Sequence, residues 1–76
     1  MDLTSIVAAN VKSLREKKKL TLDAAAACTG VSRSMLAQIE RGEANPTISV
    51  LWKIANGYKV SFSSLAEQQR GDVSLL

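Results

Sequence analysis

The side chains best able to do chemistry lie in one short stretch, between Ser32 and Arg41. At about 100° per residue, Leu36 and Ile39 fall on one side of a helix, and more polar side chains fall on the opposite side. That opposite side carries Arg33, Ser34, Ala37, Gln38 and Arg41. An arginine can donate two hydrogen bonds to a guanine, a glutamine can pair with an adenine, and a serine can serve either base. One face therefore packs, and the other can contact the edges of bases.

The preceding residues predict a second helix, joined to the first by a tight turn. Thr21 can cap this helix, which should end near Cys28. Gly30 can adopt a positive φ, and Ser32 can then cap a helix over about residues 32 to 41. A helix of about 10 residues that projects through such a turn fits the major groove of DNA. Its N-terminus also offers free amides to a phosphate.

Catalysis and metal binding find little support in the composition. The chain has no histidine, and its seven carboxylates show no paired spacing. The single cysteine, Cys28, lies in an alanine-rich stretch, which favours a half-buried small side chain over a redox switch. No glycine-rich phosphate loop follows a strand. We therefore expect no catalytic residue, no metal ligand, no cofactor and no enzymatic activity.

Length and charge limit the class of protein. A chain of 76 residues makes one small domain that buries about 60% of its unfolded surface. Aromatic residues are only 4% of the chain, which favours an aliphatic core between helices. The net charge is +3, and Lys17, Lys18 and Lys19 are adjacent. This basic run indicates either an anionic partner or a solvated helix end that complements the helix dipole.

The termini and the cysteine count indicate a cellular location. One cysteine cannot form a disulfide within the chain, as expected in a reducing compartment. Asn10 and Lys12 interrupt the apolar N-terminal stretch before it reaches the length of a signal sequence. No run approaches the ~20 apolar residues that cross a bilayer. These features predict a soluble cytoplasmic protein with no membrane partner.

Two further helices flank the pair, one on each side. The first is predicted over about residues 4 to 17, capped by Asp2 or Thr4, with Asn10 and Lys12 on its polar side. Its apolar residues at helical spacing are Leu3, Val7, Val11 and Leu14. The other follows Pro46, capped by Thr47 and weakened at its end by Asn56 and Gly57. Its apolar stripe is predicted to be Ile48, Leu51, Trp52 and Ala55.

A fifth helix is predicted over about residues 62 to 69. Ser61 can cap it, while Phe62 and Leu65 should anchor it in the core. The domain then covers residues 1 to 70, and residues 71 to 76 form either a tail or the start of a linker to a further domain. The pattern as a whole predicts an all-α, five-helix fold.

A set of residues across the middle of the chain also carries a resemblance. The set is Leu20, Thr21, Ala26, Gly30-Val31-Ser32, Ile39-Glu40-Arg41-Gly42, Asn45-Pro46-Thr47 and Leu51-Trp52-Lys53-Ile54-Ala55. Through it, residues 10 to 67, and most closely 20 to 55, resemble the phage-repressor and Cro type of helix-turn-helix domain, the XRE family. The segment SRSMLAQIERGEANPTISVLWKIA is similar to members with a cupin sensor domain after the helix-turn-helix. The resemblance implies a lambda-repressor-like fold and a sequence-specific transcriptional regulator that reads operator DNA through its third helix.

The family pattern implies a role for individual residues. Base readout falls on Arg33, Ser34 and Gln38, with Ala37 as a contact to a thymine methyl group. Phosphate contacts fall on Thr21, Ser32, Arg41 and the loop around Asn45. The pattern also implies that Arg15 pairs with Glu40.

This chain departs from the family pattern at two positions. Leu22 stands where the family often has a glutamine, so one polar contact to DNA is lost, and Lys17 to Lys19 can compensate for it electrostatically. Lys59 stands where the family often has glycine or asparagine.

Double-stranded DNA is the expected partner, bound by a homodimer on two half-sites, because one short helix reads few bases. The alternative is a protein-interaction module, antitoxin-like or an adaptor, that kept the fold without the DNA contacts.

Overall fold

The computed structural model describes residues 2–67 of the chain. Within that range the chain forms five helices and no strand, which confirms the predicted all-α fold. The helices are α1 (Leu3–Lys17), α2 (Leu22–Thr29), α3 (Arg33–Glu40), α4 (Ile48–Tyr58) and α5 (Ser63–Ala66). The predicted tail, residues 71 to 76, lies outside the described residues.

Four of the helices begin at a side-chain cap, as the sequence predicts, but the predicted cap at Ser61 is wrong, since no side chain caps α5. The carboxylate of Asp2 accepts a hydrogen bond of 2.9 Å from the backbone N–H of Ser5, and this bond lowers the pKa of Asp2. The hydroxyls of Thr21, Ser32 and Thr47 accept equivalent bonds of 3.0, 3.1 and 3.2 Å at the starts of α2, α3 and α4. Each cap satisfies an amide that has no partner within its own helix.

Two helix ends show why particular residues matter there. Gly30 follows α2 in the left-handed conformation, with φ of +79°, and turns the chain towards α3 as predicted. Lys59 follows α4 with φ of +58°, also left-handed. Glycine adopts this conformation most readily because it has no Cβ, and asparagine tolerates it because its short polar side chain can form local hydrogen bonds; a lysine is disfavoured there.

The core is aliphatic except for Tyr58 and lies between α1, α2, α3 and α4, with Leu65 of α5 closing it. Its buried residues are Val7, Val11, Ala25, Val31, Leu36, Ile39, Leu51, Ile54, Ala55, Tyr58 and Leu65. Gly57 allows α4 to approach α2 closely, because a Cβ at this position would lie 2.6 Å from the Cα of Thr29. The sequence predicted a close approach at the alanines of α2, of which Ala25 is fully buried.

The predicted apolar stripe of α4 is wrong at two of its four positions. Leu51 and Ala55 are buried as expected, but Ile48 is 62% exposed and Trp52 is 50% exposed. The buried face also includes Ile54 and Tyr58, so it begins and ends three residues later in the chain than predicted. Trp52 instead contacts the ring of Phe62, with 4.8 Å between ring centroids. The helix continues through Asn56 and Gly57, where the sequence predicted a weak end.

Three smaller predictions are also wrong. Asn10 is fully buried, not on the polar side of α1, and its amide donates bonds of 2.7 Å to the carbonyls of Leu65 and Glu67. Those bonds hold the end of α5. This helix stops at Ala66, not at residue 69 as predicted. Residues 68 and 69 themselves lie outside the described range. Cys28 is exposed, not half-buried.

Candidate nucleic-acid interface

The turn between α2 and α3 is held from inside by Thr29. Its buried hydroxyl donates a bond of 2.8 Å to the carbonyl of Ala25 and accepts one of 3.1 Å from the amide of Val31. Gly57 of α4 lies directly against Thr29. The sequence analysis did not identify Thr29, since a threonine near a helix end carries no distinctive spacing. Together these contacts fix the angle at which α3 leaves α2.

Arg15 fixes the other end of α3. Its Nε and Nη2 donate bonds of 2.7 and 3.0 Å to the two carboxylate oxygens of Glu40, and its Nη1 donates one of 2.8 Å to the carbonyl of Leu20. The bond to Glu40 raises the pKa of the Arg15 guanidinium. The predicted pair is confirmed, and it joins α1, the α1–α2 connection and the last residue of α3.

The predicted base-reading residues share one exposed face of α3. Arg33, Ser34 and Gln38 are exposed, and Ala37 lies half-buried among them. Leu36 and Ile39 point the opposite way and are buried in the core. The structure therefore brings these four residues together as a surface backed by rigid packing. Their contact with bases stays a prediction.

The residues predicted to contact phosphate are all exposed but already have partners. Thr21 and Ser32 use their hydroxyl oxygens as helix caps, yet each hydroxyl keeps its own hydrogen for donation. Asn45 accepts a bond of 2.7 Å from the hydroxyl of Thr4. Arg41 lies just beyond α3, with its Nε 3.1 Å from Oε1 of Glu43. Each of these groups still has a donor available for a phosphate oxygen.

The exposed face also carries an ion pair that the sequence analysis missed. The Nε of Arg33 lies 3.0 Å from Oδ1 of Asp23, on the first turn of α2. The two residues are ten positions apart across a turn, and neither helical nor strand periodicity relates them. The charge of Asp23 also suits its place in the first turn of α2, at the positive end of the helix dipole.

Leu22 and the lysine run complete the description of this region. Leu22 is partly buried and packs against the core, so apolar packing replaces the polar contact that the family pattern places there. Lys17, the last residue of α1, is exposed, as are Lys18 and Lys19, which follow it before α2.

Residues 2–67 contain neither a metal site nor a membrane-spanning helix. In that range, no group of three or more histidine, cysteine, aspartate or glutamate side chains is placed to hold a metal ion. None of the helices described is long and apolar enough to span a bilayer.

Comparisons with known proteins give consistent results. Residues 11–65 match the helix-turn-helix family HTH_3. The chain is 44% identical over 63 residues to the HTH-type transcriptional regulator SutR of Escherichia coli, which covers 83% of the chain and 35% of SutR. It is 37% identical over 65 residues to the HTH-type transcriptional regulator y4dJ of Sinorhizobium fredii, covering 86% of the chain and 84% of y4dJ.

A solved structure shows the same arrangement of helices. An HTH_3 family transcriptional regulator from Vibrio cholerae superposes with a TM-score of 0.81 and 54% sequence identity. The match covers 83% of this chain and 35% of the Vibrio protein. The chain thus spans about a third of the length of both SutR and the Vibrio regulator.

Proposed function

The chain belongs to the helix-turn-helix family HTH_3, and we propose that it is a sequence-specific DNA-binding regulator of transcription. The observation that carries the proposal is the exposed polar face of α3. The bonds of Thr29 fix the turn before this helix, and Arg15 holds its last residue. A rigid scaffold under an exposed set of donors is what base readout requires.

The proposed mechanism places α3 in the major groove. With 8 residues it is about 12 Å long, comparable with the groove width of about 12 Å. There, Arg33 donates to a guanine, Gln38 pairs with an adenine, and Ser34 bonds to either base. The methyl group of Ala37 contacts the methyl group of a thymine. These contacts carry the sequence preference.

Contacts to phosphates set the register of the protein on the duplex. Thr21 and Ser32 lie at the N-termini of α2 and α3, where unpaired amides and the helix dipole favour an anion. Arg41 and Asn45 follow the C-terminal end of α3 and would hold the backbone there. Lys17 to Lys19 add positive charge without sequence preference. These contacts supply affinity.

We further propose that the protein acts as a homodimer on DNA. A helix of 8 residues reads only a few base pairs, too few to define a site in a genome. Two copies on half-sites about 34 Å apart would double the information. The proposal includes no catalytic step and no cofactor. We place the protein in the cytoplasm because a regulator of bacterial or phage transcription acts on DNA in that compartment.

The test is a selection of bound sequences from a random pool of double-stranded DNA. The proposal predicts a consensus with two half-sites separated by about one helical turn, and an affinity that falls steeply with salt. A variant with both Arg33→Ala and Gln38→Ala is the matched control, and it should lose the consensus while remaining folded. If no selected sequence is bound better than random DNA, the adaptor or antitoxin-like alternative is favoured instead.

A further inference from the structure

We propose that Asp23 is a positioning residue that sets the base preference of Arg33, an inference that rests on the proposed DNA-binding function. The carboxylate of Asp23 contacts the guanidinium of the first residue of α3. No sequence pattern assigns this role, since the two residues meet only because the turn folds α2 against α3.

The contact joins the two helices on their exposed side. Oδ1 of Asp23 lies 3.0 Å from Nε of Arg33, and the two side chains are 82% and 63% exposed. Both residues lie in the first turn of their helices, each of which begins at a side-chain cap, Thr21 for α2 and Ser32 for α3. The buried bonds of Thr29 fix the turn between them. The position of the Asp23 backbone relative to the start of α3 is therefore set by the fold, and from there the carboxylate reaches Arg33.

The guanidinium group explains how this contact can influence base choice. A guanidinium is planar and carries five N–H donors, and a guanine needs two donors held in one plane. A carboxylate at Nε restricts the rotation of the group and leaves the two terminal nitrogens available. A free arginine side chain would have to be ordered on binding and could reach several acceptors. Asp23 thus narrows the set of bases that Arg33 can contact.

The same carboxylate also acts against binding that is not sequence-specific. It places a negative charge on the surface proposed to face DNA, where it repels phosphates in every sequence. An arginine neutralised by a neighbouring carboxylate attracts phosphate less strongly. Asp23 therefore lowers affinity for DNA in general and increases discrimination at one base pair. An exposed pair of this kind adds little to folding stability, so stability alone does not test the role.

The experiment compares Asp23→Asn with the wild-type protein. Selection from random DNA identifies the base pair that Arg33→Ala relaxes, and affinities are then measured on the preferred site, on that site with this pair changed, and on random DNA. We expect Asp23→Asn to reduce discrimination at that pair by about 5-fold or more, within the range for one paired contact. Affinity for random DNA should rise by a few fold, and preferences at other positions should remain.

Glu43→Gln is the matched control, because it removes an equivalent exposed carboxylate beside Arg41. It should raise affinity for all sequences alike and leave the consensus unchanged. In an Arg33→Ala background, Asp23→Asn should no longer alter the base preference. Thermal melting followed by circular dichroism confirms that each variant is folded.

The outcomes separate the two proposals. If the wild-type protein selects a consensus and Asp23→Asn behaves like Glu43→Gln, Asp23 is only a surface charge and the inference is overturned. The inference also fails if Asp23→Asn changes base preference when Arg33 is absent. If the wild-type protein selects no consensus, the proposed function itself fails, and this inference fails with it.

Discussion

The two ends of α3 carry the same kind of ion pair in different surroundings. At its C-terminal end, Arg15 and Glu40 are joined by two hydrogen bonds, and their side chains are only 16% and 7% exposed. At its N-terminal end, Arg33 and Asp23 approach within 3.0 Å, but their side chains are 63% and 82% exposed. Water screens the outer pair and is largely excluded from the inner one.

This difference assigns the two pairs to different tasks. The inner pair cannot be broken without leaving an unpaired charge in a partly buried site, so its role is structural. The outer pair is exposed to water, so the terminal nitrogens of Arg33 stay available for another partner while its Nε lies beside Asp23. An arginine that binds DNA has to be exposed, as Arg33 is in the outer pair.

Breaking the inner pair should cause the largest loss of stability. We expect Glu40→Gln to lower the free energy of unfolding by about 2–4 kcal/mol, somewhat less than for a fully buried pair, because Arg15 loses its charged partner. Urea denaturation measures this loss. A double-mutant cycle with Arg15→Met and Glu40→Gln should show a coupling above about 1 kcal/mol.

The matched control for the inner pair is again Glu43→Gln, which removes an exposed carboxylate at the same end of α3. Its effect on the free energy of unfolding should stay within about 0.5 kcal/mol. Additive effects of the Arg15 and Glu40 substitutions would contradict the structural role of the inner pair.

Removing the outer arginine should affect DNA binding and not stability. Arg33→Ala should cost about 1–3 kcal/mol of discrimination at one base pair, because the donors to that base are lost. Its free energy of unfolding should change by less than about 0.5 kcal/mol. Binding titrations on the preferred site and on single-pair variants measure the first effect. Lys53→Ala, which removes an exposed charge on α4, should leave base preference intact.

How far the sequence predicted this arrangement depends on the range of the interactions. The caps at Thr21, Ser32 and Thr47 are local, since each hydroxyl bonds an amide three residues ahead, and all three are confirmed. The inner pair was predicted from the family resemblance, because Arg15 and Glu40 are 25 positions apart. The outer pair has no local pattern and no place in the family pattern, so it was missed.

The exposed apolar residues of α4 show a different limit. A spacing of i, i+3, i+4 and i+7 fits both the set beginning at Ile48 and the set beginning at Leu51. In the structure α4 packs closely against α2 at Gly57, and the set beginning at Leu51 is the buried one. Asn10 was placed wrongly for a similar reason, since its partners are backbone carbonyls more than 50 positions away. Composition cannot indicate that a polar side chain has such partners.

A smaller effect on DNA binding is expected at Arg41, which forms an ion pair with Glu43. Arg41→Ala should weaken binding to all sequences by a similar factor, since a phosphate contact carries no sequence information. The slope of log affinity against log salt concentration should become shallower by about 1. Titrations at several salt concentrations, on the preferred site and on random DNA, measure both. A change in the selected consensus would instead place Arg41 among the base-reading residues.

The smallest effect at neutral pH is expected at Tyr58, which is buried near the inner pair. Its hydroxyl has no hydrogen-bond partner within residues 2–67, and burial, with a smaller contribution from the charge of Glu40, raises its pKa from 10.0 to about 12. At neutral pH the hydroxyl is uncharged in both the folded and the unfolded chain, so Tyr58→Phe should change stability by less than about 1 kcal/mol. Between pH 10 and about 12 the unfolded chain loses its proton first, so the wild-type protein should lose stability relative to Tyr58→Phe. Urea denaturation of both proteins across this range gives the difference, and the absorbance of the single tyrosine reports its ionisation. Equal losses in the two proteins would show that the Tyr58 hydroxyl reaches water in the folded state. Arg15 and Glu40 nearby would then be less well shielded from water than their low exposure indicates.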